Sequence, residues 1–149
     1  MNNLKLSVIA LAFIYPILII YFFGADYKSF SDLWNTKGEA LFIIVNASTS
    51  CLFFDLKRWK ICSVFIMLLT AFSTVQYETI HNIFAILFFI SVGYGLLEYN
   101  RYRYYFYIFF VGCLIGGLIS LLWLEIFVIY TLCLYHLTIL KEKIKFERR

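Results

Sequence analysis

The chain has 149 residues, of which 63% are hydrophobic, 21% aromatic and only 15% charged, with a formal net charge of +4. Soluble domains are nearer half apolar and a quarter charged, so the composition argues against a soluble globular protein and predicts an integral membrane protein. No hydrophilic run is long enough to fold as a separate module, and the 13 basic residues are placed as membrane orientation requires rather than as a nucleic-acid surface would be.

Taken in order, the first predicted span covers 6–23, with Lys5 before it and Pro16 inside it. A cleaved leader is the rival reading, but the bulky Phe23 before Gly24-Ala25 makes a poor small-x-small site. The longest polar stretch follows at 24–39, with Asp26, Lys28, Asp32 and Lys37 outside and Tyr27, Phe30 and Trp34 at headgroup level. Spans at 40–54 and 61–75 flank a tight basic turn of Lys57, Arg58 and Lys60, and at about 15 residues each they are short for a bilayer.

The rest of the chain is organised around the fourth span, 80–97. It is approached through Gln76, Glu78, His81 and Asn82, closed by Glu98, and followed by Arg101 and Arg103. The nearly uncharged run 104–140 would be about 55 Å long as one helix, too long for a single crossing. Two crossings at 104–122 and 124–140, turning between Ser120 and Glu125, fit better; a five-span chain with a long tilted last helix is the alternative. A basic cytoplasmic tail covers 141–149. The predicted fold is all-α, a single polytopic transmembrane bundle of six short helices with both termini cytoplasmic, leaving only Lys28 and Lys37 of the basic residues outside.

This threading sorts the polar residues by depth. Glu39, Gln76, Glu78, His81, Asn82 and Glu125 fall at the outer end; Asp55, Glu98 and His136 fall at the inner end among the basic side chains. The two histidines therefore sit roughly 20 Å apart in depth and cannot share a zinc ion or a haem. No metal site and no cofactor is expected, and retinal attachment is argued against because no lysine lies in a span.

A binding cluster of Glu78, His81, Asn82 and Glu125 at the outer mouth is the sharpest positive expectation. Two carboxylates and an imidazole there could hold a cation or lipid headgroup, or do acid–base work. The same residues also read as wet interfacial acids and a histidine hydrogen-bonded to a neighbouring helix. Asn46, Thr49 and Ser50 on the second helix and Thr70 on the third could line a polar path or bond between helices. Gly112, Gly116 and Ser120 form a small-residue stripe for close packing, within the bundle or between subunits. Cys51, Cys62, Cys113 and Cys133 lie in apolar runs and are expected to be buried packing residues.

The stretch IHNIFAILFF and the later Trp123-Leu124-Glu125 resemble features of small bacterial six-span membrane proteins of unknown function. Those proteins are distantly similar to damage-regulated autophagy modulators and to membrane proteins of GPI-anchor remodelling. The resemblance rests on His81, Ala85, Phe88, Phe89, Trp123 and Glu125. It implies the six-helix fold and marks His81 and Glu125, but implies no reaction.

Three functions fit these observations. The favoured one is a non-catalytic protein of a bacterial inner membrane, whose bundle binds lipid or a protein partner and self-associates, with anionic headgroups on its basic face. The second is a small oligomeric pore or membrane-perturbing accessory protein of an antiphage, for example CRISPR-associated, system. The third is a lipid-headgroup enzyme with an outer-face Glu/His site, disfavoured because the sequence assembles no nucleophile–base pair.

Overall fold

The computed structural model describes residues 2–24, 28–33, 36–54 and 56–147. Six α-helices carry the fold: α1 Asn2–Phe23, α2 Glu39–Phe53, α3 Lys60–Ala71, α4 Thr74–Leu96, α5 Tyr104–Ile119 and α6 Leu121–Glu147. Short 3-10 turns at Phe30–Leu33 and Asn100–Tyr102 lie between α1 and α2 and between α4 and α5, and among the described residues there is no strand. α1, α4 and α6 are long and apolar enough to cross a membrane, whereas α2, α3 and α5 are shorter apolar helices.

Local chemistry explains the boundaries. α1 stops at Gly24, whose positive φ of 82° suits a residue without a Cβ and whose N–H bonds the Ile20 carbonyl at 3.0 Å. Pro16 lies inside α1 and removes the N–H that would bond the Ala12 carbonyl. After α3, Phe72 turns extended, and Ser73 caps α4 by accepting the N–H groups of Val75 and Gln76. α4 thus begins earlier than the 80–97 span, with a local break at Tyr77 (φ −136°, ψ 42°).

The run 104–140 divides into two helices, and the single long tilted helix is not formed. The turn is the single residue Ser120, whose hydroxyl accepts the Trp123 N–H at 3.3 Å. α6 begins before Glu125 and continues through the basic segment to Glu147. The stripe of small residues lies in this hairpin. A Cβ on Gly116 would come 2.8 Å from the Leu124 Cα, and one on Gly112 would strike the Phe127 ring. That stripe is filled inside the chain.

Contacts across the chain sort the helix ends into two groups. At one end meet the 28–33 segment, the α3–α4 turn and the start of α6, through bonds from Phe30 to Glu125 and from His81 to Ser31 and Phe72. At the other, the Lys57 N–H bonds Glu98 at 3.1 Å, Arg58 bonds the Leu97 carbonyl at 2.7 Å, and Arg101 pairs with Glu142 at 3.0 Å. Successive helices therefore run in opposite directions. Burial and then the Glu98 carboxylate push the Tyr99 phenol above its ordinary value.

Two expectations change. Phe30 is 4% exposed and packs on Tyr15 with ring centres 5.0 Å apart, because its segment folds inward over the helix ends, so its ring faces protein and not the surroundings. Cys51 is exposed and Cys113 half-buried, so only Cys62 and Cys133 are buried as expected. Asp26, Tyr27, Trp34 and Asp55 lie outside the described residues. The exterior is broadly apolar: Phe110, Leu114 and Leu118 on α5 and Ile86 and Ile90 on α4 all point outward.

Candidate functional site

His81 anchors the end at which the 28–33 segment folds in. It is 2% exposed, and its Nδ1 lies 2.7 Å from the Phe72 carbonyl. A carbonyl only accepts, so Nδ1 carries the hydrogen; in the neutral ring Nε2 is then the acceptor. The Ser31 hydroxyl lies 2.8 Å from Nε2 and donates to it. The Ser31 carbonyl in turn accepts from the Thr74 hydroxyl at 3.4 Å.

The same segment is held from a second side by Glu125, whose Oε2 accepts the Phe30 N–H at 2.6 Å. That is short for a bond from a backbone N–H, and it fixes the segment firmly against the start of α6. Asp32 closes the segment internally by accepting the N–H groups of Lys28 and Ser29. Residues 28–33 are therefore a cap over the helix ends, pinned by one imidazole and one carboxyl group.

Behind the cap lies a cavity of about 100 Å³. At about 10–15 Å³ of accessible volume per water, this would hold roughly seven to ten solvent-sized spheres. Its wall is mainly Phe, Leu, Ile and Val, broken by Tyr15, Ser31, Asn46, Thr49, Glu125 and His136. The Tyr15 hydroxyl, Asn46 Nδ2 and His136 Nε2 are buried and have no hydrogen-bond partner among the described residues. Buried polar atoms are nearly always paired, so three unpartnered ones spread along a single cavity mark it as a place where other polar groups can be met.

Glu125 and His136 mark the cavity's length: both lie on α6, separated by about 16 Å along the helix. The His136 ring is held between Trp59 and Phe53, at centroid distances of 4.6 and 5.3 Å. Beyond it a second cavity of about 680 Å³ reaches Tyr99, Tyr102, Glu142 and Lys143. Ile9, Leu52 and His136 line both.

Of the residues expected at the outer mouth, His81 and Glu125 come together on the cap. Glu78 and Asn82 are exposed on α4 and take no part. Of the expected polar lining, Asn46 and Thr49 face the cavity. Ser50 is used in a clasp to Ser63, with hydroxyls 2.6 Å apart, and the Thr70 hydroxyl bonds the Ile66 carbonyl within its own helix. The two histidines sit in separate surroundings, His81 with Ser31 and Phe72, His136 with Phe53, Trp59 and Tyr135. Among the described residues, no three His, Cys, Asp or Glu side chains are disposed to hold a metal ion.

Sequence reasoning missed Ser31 and Tyr15. Ser31 carries no signal, since its partner is 50 residues away. Tyr15 stands in an apolar run where a hydroxyl looks incidental. No family model, curated protein or solved structure matches this chain.

Proposed function

We propose that this chain is a six-span integral membrane protein whose bundle binds one apolar ligand bearing a hydrogen-bonding group, in the manner of a lipid. The observation that carries this reading is the mainly apolar cavity with the unpartnered Tyr15, Asn46 and His136 atoms on its wall. A hydrocarbon chain satisfies the Phe, Leu and Ile surfaces, and a carbonyl or hydroxyl on it satisfies whichever of the polar atoms it lies beside. The outward-facing apolar side chains favour hydrocarbon surroundings at about 25 cal/mol per Å². In the proposed orientation both termini, with Lys57, Arg58, Arg101 and Lys143, face the cytoplasm, and Lys28 and Lys37 face the opposite side. A pore draws less support, because Ser50 and Thr70 already spend their hydroxyls on protein partners and aromatic rings close around His136.

Native mass spectrometry of the protein released from mild detergent tests this directly. The expected result is a stoichiometric apolar adduct that Ala12→Phe, which fills the cavity wall, removes without unfolding the protein. A wild-type protein that carries no adduct and takes up none from phospholipid vesicles refutes the reading. Lys28→Cys and Lys143→Cys should react with an impermeant thiol reagent from opposite sides of the membrane; labelling of both from one side refutes the topology.

A further inference from the structure

We propose that Ser31 and His81 form a nucleophile–base pair that cleaves the acyl ester of a membrane lipid held in the cavity. This rests on the ligand-binding reading above and adds a reaction to it. Three features point the same way. The Ser31 hydroxyl donates to His81 Nε2 at 2.8 Å, which is the contact a general base needs to take the serine proton. The Phe72 carbonyl, 2.7 Å from Nδ1, fixes the tautomer that leaves Nε2 free to accept, so Phe72 acts as the positioning group. Ser31 also lines the cavity, so the nucleophile borders the space in which an acyl chain would lie while His81 is bonded to it from outside that lining.

The step balances without any external oxidant or metal. Ser31 Oγ attacks the ester carbonyl carbon and its proton passes to His81 Nε2. The tetrahedral intermediate collapses, the bond from carbon to the alcohol oxygen breaks, and Nε2–H protonates the departing alkoxide. Water then attacks the acyl-serine with His81 again as base, releasing the fatty acid and restoring Ser31. The Asn46 amide, unpartnered among the residues that line the same cavity, is the donor this proposal assigns to the developing oxyanion.

The test uses the full-length protein in dioleoylphosphatidylglycerol vesicles, treated with a long-chain alkyl fluorophosphonate and read by intact mass and peptide mapping. A single adduct on Ser31 is expected, with a roughly tenfold or greater loss of labelling in Ser31→Ala and in His81→Ala and none in Ser29→Ala. Fatty acid release from the vesicles should fall in parallel, while a soluble short-chain ester should be a poorer substrate. The wild-type arm is decisive because it depends on no variant folding. A protein that holds a lipid adduct but is never labelled at Ser31 overturns this proposal and leaves the binding reading intact. Labelling at Ser31 without any bound lipid supports the pair and overturns the binding reading.

Discussion

The α5–α6 hairpin permits a prediction whose sign is set by adjacent glycines. A Cβ on Gly116 would lie 2.8 Å from the Leu124 Cα and 3.2 Å from its N, both backbone atoms that cannot rotate away. Ordinary carbon contacts begin at about 3.5 Å, so the helices must part by about 0.7 Å beside a one-residue turn. Overpacking of this kind costs about 1–3 kcal/mol, and a backbone obstacle places Gly116→Ala in the upper half of that range. A Cβ on Gly117 would meet only the Leu124 Cδ1 at 3.6 Å, an ordinary contact. Replacing either glycine recovers about 1 kcal/mol of helix propensity, so that gain cancels between the two variants. Gly116→Ala should therefore be about 2–3 kcal/mol less stable than Gly117→Ala, and Gly117→Ala at least as stable as wild type. Reversible unfolding in mixed dodecyl maltoside and SDS micelles measures the difference. Equal stabilities would refute the close approach of α5 to α6.

Other variants probe the remaining contacts. Gly95→Ala should destabilise for the same reason, since its Cβ would lie 2.7 Å from the Trp59 indole; an unchanged SDS midpoint would contradict the packing. Ser50→Ala and Ser63→Ala should each cost about 0.5–1.5 kcal/mol and couple measurably in a double-mutant cycle, because their hydroxyls share one bond; strict additivity would argue against the clasp. A lipid-soluble maleimide should modify Cys51 first and leave Cys62 and Cys133 unreacted in the folded protein, and equal rates at Cys51 and Cys62 would contradict the arrangement of α2 and α3. Glu142→Gln should change stability by less than about 1 kcal/mol, since its pair with Arg101 is exposed at the surface; a larger loss would give Glu142 a second role.

Helix content, the two-helix division of 104–140 and the close packing at Gly112 and Gly116 are legible in the sequence, because each depends on length or on spacing within a turn or two. Ser120 is legible only as part of a broader turn, since one extended residue suffices to reverse the chain there. The Ser73 hydroxyl sets the start of α4 through the local N–H groups of Val75 and Gln76, a capping signal hidden inside the apolar run 61–75.

An all-α chain of apolar helices, with basic charge gathered toward alternate connections, follows from the residues alone, because local composition and period are enough to specify it. Which polar residues meet is a matter of three-dimensional packing. The Ser31–His81 bond joins residues 50 apart and the Phe30–Glu125 bond joins residues 95 apart. His81 and Glu125 share a depth in the sequence reading, but depth does not specify azimuth around a helix. The packing of six apolar rods supplies it, turning Glu78 and Asn82 outward and leaving Tyr15, Asn46 and His136 around one shared space.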